Sequence, residues 1–277
     1  MKIKDVEDRQ VDYDLINKQL WRSELGIRSI CVMYDEHSKD KDSNKNIFTL
    51  KDNIEYRLFS AAHQYLILLR ELEQGEHYLT ELKKKEPHIT YPFGNPHNDK
   101  VELEISSIFD SIIFHLSSVF DYISHFICYI CHKNKSNTFY WTSLANSARG
   151  NGNEISQLEI KSRIISVDRK FIAKLYDYRS RLIHNKRDKH IFMATVDLHS
   201  KHKIKLVASK LANKHFELDS HLNEDEQATI VFMASQIIKT TFDMIEELLD
   251  GLYFEIKKTS VFWENRRVKP KEGSLNL

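Results

Sequence analysis

ISSIFDSIIFHLSSVFDYISHFICYIC, residues 105–131, is the stretch on which the fold turns. As a helix it is long enough to span a bilayer, and it is apolar nearly all round. Two carboxylates speak against spanning. Asp110 and Asp121 lie eleven residues apart, about three helical turns, so with Ser117 and Ser124 they draw one polar stripe down the helix. A helix that is otherwise apolar but keeps such a stripe reads as the central helix of a bundle, the stripe turned to a cleft or a partner. No membrane insertion is expected.

Working outward, EPHITYPFGNPHND (residues 86–99) holds three of the four prolines and cuts this helix off from an earlier one. In the earlier segment Thr49 followed by Asp52 resembles a capping signal, and Ile54, Leu58, Ala61, Tyr65, Leu68 and Leu72 recur at spacings of three and four. This predicts a long helix to about Lys85. On the other side, residues 133–153 are rich in Asn, Ser and Gly and read as a loop. A third helix is expected over Glu154–His184, with Ile160, Ile164, Phe171, Leu175, Tyr178 and Leu182 along one stripe. HIFMATVDL and KIKLVAS, rich in β-branched residues and separated by a short polar segment, predict a hairpin at about 190–209. Asn223 with Glu226 resembles a capping box for a last helix through Ile230, Met233, Ile237, Phe242, Ile245 and Leu249.

The expected fold is therefore mainly α: an antiparallel bundle of four long helices with a small β-hairpin inserted between the third and fourth. Scarcity of glycine (7) and proline (4) in 277 residues favours such long helices over a sheet-and-turn architecture. Residues 1–48 carry mixed signals, among them an apolar run at Ile30–Tyr34 and a charged linker at Ser38–Asn46, and read as an N-terminal extension. Residues 49–260 form the bundle, and 261–277 a basic tail. The opening MKIKDVEDRQVDYDL lacks the apolar core of a secretory signal, so a cytoplasmic protein with reduced cysteines is expected.

Forty-one basic residues against 40 acidic ones leave a formal charge of +1, so attraction to a polyanion must come from local clustering. Familiar sites are missing: the chain holds no phosphate-cradling glycine loop, no His-Glu-x-x-His pair and no Gly-x-Ser-x-Gly elbow. CYICH (128–132) matches the haem-attachment pattern, but Cys128 and Cys131 end an apolar helix as small hydrophobes, and Cys31 is too distant in sequence to complete a zinc set. Neither metal nor cofactor is expected.

The clustering occurs in YDYRSRLIHNKRD (176–188). Tyr178 and Leu182 belong to the core stripe, whereas Tyr176, Ser180 and His184 fall together one turn apart on another face, with Arg179 at the border. Arg181, Lys186, Arg187 and Lys189 surround them. Cations at a helix C-terminus also complement its unpaired carbonyls, so the same residues could simply cap the helix. The pattern Arg-x4-6-His recurs at Arg57 with His63 and at Arg70 with His77, and position on the helix is what separates those pairs from Arg179 and His184.

YRSRLIHN resembles the signature of the HEPN family, helical-bundle proteins with Arg-x4-6-His at the end of the third long helix. Arg179 and His184 stand at its two fixed positions; Ser180 departs from the Asn, Asp or His common after the arginine. The resemblance implies a metal-independent endoribonuclease acting in toxin–antitoxin or antiviral systems, or a relative that keeps the bundle as a non-catalytic binding module for nucleotide, RNA or a protein partner. In the first case His184 transfers the proton, Arg179 meets the charge developing on the scissile phosphate, and Ser180 orients one of them. Arg181, Lys186, Arg187 and Lys189 hold flanking phosphates, with Asp121 and Tyr176 in support. The implied partners are RNA, a second copy of the chain in a two-fold dimer that sets these helix ends side by side, and an antitoxin or regulatory protein.

Overall fold

The computed structural model describes residues 2–37, 44–86, 96–131, 140–184, 188–196, 201–216 and 226–258. In chain order these form strand β1 (Lys2–Lys4), helices α1 (Arg9–His37), α2 (Asn44–Lys85), α3 (Pro96–Cys131), α4 (Trp141–Arg149), α5 (Glu154–Gln157) and α6 (Ile160–Val167), and a π-helical turn (Asp168–Ile172). There follow helix α7 (Ala173–His184), strands β2 (Ile191–Val196) and β3 (His202–Val207), helix α8 (Lys210–Phe216), strand β4 (Glu226–Ala228) and helix α9 (Ile230–Lys258). The protein is mainly helical, with one small antiparallel strand pair, as expected from sequence.

α3 carries apolar residues on several sides because several neighbours pack on it: α2, α4, α7 and α9. Ile105, Phe109, Ile112, Ile113, Leu116, Val119 and Phe120 are all fully buried. By length and composition this is a helix that could cross a membrane, yet its apolar residues are spent on the protein's own core. The polar stripe divides. Ser117 and Ser124 are buried and return their hydroxyls to carbonyls of their own helix, Phe114 at 3.0 Å and Asp121 at 2.9 Å, whereas the Asp121 side chain reaches out to α7.

Residues 9–37, set apart from the bundle by the sequence reading, form a helix whose Ile16, Leu20, Ile27, Ile30, Cys31 and Tyr34 join the common core against α2 and α9. One buried carboxylate ties the three together. Asp12 of α1 accepts hydrogen bonds from Tyr65 of α2 at 2.6 Å and, on α9, from Ser235 at 3.0 Å and Lys239 at 2.5 Å. β1 then pairs in parallel with β4, Lys2 opposite Glu226 and Lys4 opposite Ala228. The linker expected at 38–46 lies outside the described residues up to 43, and α2 begins at Asn44 instead of Thr49.

Three further sequence readings are corrected. The segment at 133–153 contains α4, whose Trp141, Leu144, Ala145 and Ala148 are buried at helical spacing; the Asn, Ser and Gly among them mask the period. The expected single helix at 154–184 is broken where Leu158 takes an extended backbone (φ −78°, ψ 150°); from Ile160 to His184 it runs on without interruption, widening into one π turn at Asp168–Ile172. Glu226 opens a strand, and α9 is capped by Thr229 instead, whose hydroxyl accepts the Phe232 N–H at 3.1 Å and donates to Asp5 at 2.7 Å. Asn223 and residues 259–277 lie outside the described residues.

The hairpin leans on the helices through its second strand. Ile204, Leu206 and Val207 of β3 are buried, and the Ile204 N–H donates to Glu76 of α2 at 3.0 Å. The same carboxylate receives Arg9 at 3.0 Å and Lys203 at 3.3 Å, so hairpin, α1 and α2 meet on one buried charge.

Candidate functional site at the end of α7

α7 crosses α3 where that helix presents Asp121. Tyr176, half-buried, donates its hydroxyl to Asp121 Oδ1 at 2.6 Å, with the Ser117 carbonyl 3.0 Å away. One turn on, the Arg179 guanidinium lies 3.8 Å from Asp121 Oδ2 and 5.9 Å from the ring centres of both Phe114 and Tyr176. Its Nε is buried without a hydrogen-bond partner. The carboxylate and the two ring faces thus fix one end of the guanidinium, while the side chain remains 31% exposed. Burial and the neighbouring Asp121 charge push the Tyr176 phenol well above its ordinary range. It stays a neutral hydrogen-bond donor throughout the physiological range.

The structure therefore brings Asp121, Tyr176 and Arg179 together. Tyr176 does not share an outward face with Ser180 and His184, as the helical wheel placed it; it turns inward to α3. Ser180 and His184 are exposed, and among the described residues neither side chain makes a hydrogen bond or ion pair. His184 ends α7. From Arg179 to His184 the helix advances about 7.5 Å and turns about 140°, so within one chain the two side chains leave the helix in different directions. Arg181, three residues before His184, is paired with Asp177 at 3.2 Å. Lys189 is exposed, and Lys186 and Arg187 lie outside the described residues.

Behind Arg179 lies a network that sequence reading missed. Asp121 Oδ1 also accepts the Trp141 backbone N–H at 3.3 Å, and the Trp141 indole donates to Asp168 of the π turn at 2.7 Å. Arg149 of α4 closes on the other oxygen of Asp168. A cleft of about 290 Å³, lined by Arg149, Asn146, Thr142 and Tyr176 among others, opens beside this chain. The signal was present in sequence: Asp168 falls on the core stripe between Ile164 and Phe171, where a carboxylate must find a partner.

Ser209, His190 and Asp188 also meet, and their geometry is that of a cap. The Ser209 hydroxyl donates to Asp188 and accepts the Ala212 N–H at 3.0 Å, while His190 Nδ1 receives the Ser209 backbone N–H at 3.2 Å. The serine proton is directed to the carboxylate, away from the imidazole, so α8 is capped and no nucleophile is activated. Cys128 is buried and Cys131 half-buried, and all three cysteines are free thiols. Burial pushes the Cys31 thiol up to about 12. Among the described residues no group of three or more His, Cys, Asp and Glu could hold a metal ion; His132, the remaining candidate ligand in CYICH, lies outside them.

Three half-buried or buried histidines make the fold sensitive to acid. Burial lowers His125, against the opposing pull of Asp121; burial and the Arg57 charge lower His115, and burial with Lys83 lowers His202. With folded values below unfolded ones, the unfolded chain takes up protons first. Stability present above about pH 6.5 is then lost as the pH falls below it. Thermal midpoints should decline from about pH 7.5 to about pH 5; a level midpoint across that range would show that these imidazoles are not held neutral.

Comparisons with protein-family models, with characterised proteins and with solved structures each return no match.

Proposed function

We propose that the protein is a metal-independent endoribonuclease of HEPN type, an antiparallel bundle of four long helices that works in the cytoplasm as a two-fold homodimer. A toxin or antiviral-defence role, with an antitoxin or regulatory protein as further partner, belongs to the same reading. The observation that carries it is Arg179: a guanidinium held by Asp121 and two aromatic rings, partly exposed, on the helix that ends in an exposed histidine.

RNA brings its own nucleophile, so a base and a fixed cation suffice. His184 accepts the 2′-hydroxyl proton as that oxygen attacks the adjacent phosphorus. Arg179 faces the charge that builds on the non-bridging oxygens. The bond from phosphorus to the 5′-oxygen breaks, leaving a 2′,3′-cyclic phosphate, and the departing oxygen takes a proton from a second, protonated His184. One chain has one histidine here and the mechanism uses two, which is why the dimer enters it: a two-fold axis beside the end of α7 sets the two helix ends side by side, doubling the cations and supplying both a base and an acid.

One observation favours a second reading, a dimeric binding module without catalysis. Ser180, placed to orient a catalytic group, makes no side-chain hydrogen bond to any described residue. Purified protein incubated with total RNA in EDTA separates the two. Cleavage is expected, together with a dimer in sedimentation at micromolar concentration; protein that cuts no RNA is left with the binding role.

A further inference from the structure

α7 and α8 face each other across a groove of about 390 Å³. Lys174, Asp177 and Arg181 recur at intervals of three and four and so share one face of α7; Leu211, Lys214 and His215 of α8 form the facing wall. The walls are locked together by Tyr178, whose ring lies 5.1 Å from that of Phe216 and 5.6 Å from that of His215. His215 Nε2 also sits 2.6 Å from Asp177 Oδ2. Two lysines, an arginine and a histidine thus line a space that holds one carboxylate. The hydrogen bond from His215, and then Arg181, keep that carboxyl below its usual range, so it remains an anion.

The α7 face has a direction. His184 follows Arg181 by three residues, so the line from Lys174 to His184 covers about 15 Å of helix axis and ends on the exposed histidine. A single cation-lined groove of this size suits one backbone, whereas a duplex is read by shape across two grooves.

We propose that the α7–α8 groove is a track for the phosphodiester backbone of single-stranded RNA, with Lys174, Arg181 and Lys214 on successive phosphates leading to His184. This rests on the ribonuclease reading above and adds to it a second wall, α8. Asp177 is the groove's internal competitor: it occupies Arg181 and His215 in the free protein and weakens binding, which makes its removal diagnostic. A carboxylate present only to join two helices would, when removed, leave RNA affinity unchanged.

The test uses a fully 2′-O-methylated single-stranded oligoribonucleotide, which lacks the nucleophile, so binding is read apart from cleavage. K174E/K214E should weaken binding at least about tenfold at low salt and reduce the log–log salt slope by about 1.4, two contacts at roughly 0.7 each. D177N should tighten binding several-fold. Lys214 is exposed, so K214E alone, with about half the change in slope, serves if the double variant does not fold. Wild-type affinity and slope in these variants overturn the groove, as does a wild-type protein that does not hold the oligonucleotide. Cleavage of unmodified RNA in EDTA, measured in parallel, decides the ribonuclease reading separately: cutting with unchanged variants sinks the groove alone, and binding without cutting sinks the catalytic reading while leaving the groove.

Discussion

RNA cleavage in EDTA should fall at least about a hundredfold in His184→Ala, while its thermal unfolding stays within about 0.5 kcal/mol of the wild type. The side chain is exposed and bonds to no described residue, so little packing is lost with it. In the proposed mechanism His184 supplies both the general base and, across the dimer, the general acid, so both would vanish together. The alternative, that His184 merely complements the carbonyls at the helix terminus, predicts the opposite pairing: a loss of a few tenths to about 1 kcal/mol and no change in any activity. A His184→Ala protein that cuts as well as wild type would end the ribonuclease reading. Arg179→Ala should show the same separation with a somewhat larger cost in stability, since it leaves Asp121 without its cation and uncovers the rings of Phe114 and Tyr176.

Asp12→Ala should lower stability by about 3 kcal/mol. Asp12 is 8% exposed and receives three donors from two other helices. Removing it strands the buried Tyr65 hydroxyl and leaves the Lys239 ammonium, itself only 23% exposed, without its counter-charge. Partial access of Lys239 to water keeps the loss below that of a fully buried pair. Asp12→Asn, which keeps a hydrogen-bonding oxygen and loses only the charge, should fall between alanine and wild type. Urea unfolding of the three proteins measures this. Equal midpoints for Asp12→Ala and wild type would mean that α1 is held by its apolar stripe alone, and RNA cleavage by any folded fraction should be unaffected, since Asp12 takes no part in the contacts around Arg179.

Periodicity carried the reading of α2 and α9, where the apolar period runs for several turns; a long apolar run carried α3, and β-branched composition the hairpin. The same test failed on α1. Its buried positions are Ile16, Leu20, Ile27, Ile30, Cys31 and Tyr34, a regular helical stripe, but the buried Ser23 fills the gap in the middle and Asp12 stands at its head, and the polarity of Asp12 is accounted for only by partners far along the chain. α4 hid behind its small polar residues, and the break at Leu158 falls just before an apolar stripe that runs on through Ile160, Ile164, Phe171 and Leu175. A helical period reports which face is buried. It does not report whether the backbone along that face stays helical.

At the site, the residue types at the end of α7 and their cationic clustering were legible in sequence, because they are local. So was Asp121, as a carboxylate on an otherwise apolar helix. What only tertiary structure decided is which of them meet. Tyr176 turns inward to Asp121 because α3 lies there to receive its hydroxyl, Arg179 is fixed by that carboxylate and by Phe114, and Asp177, paired with Arg181 on its own helix, also meets His215 of α8. The helical wheel gives angles about one axis, whereas hydrogen-bond partners come from α3, α4 and α8, separated from α7 by tens of residues. Sequence by itself determined a mainly helical protein with a cationic helix end; the packing of those distant helices chose Arg179 as the held cation and left His184 free in solvent, because buried polar groups must be paired and exposed ones need not be.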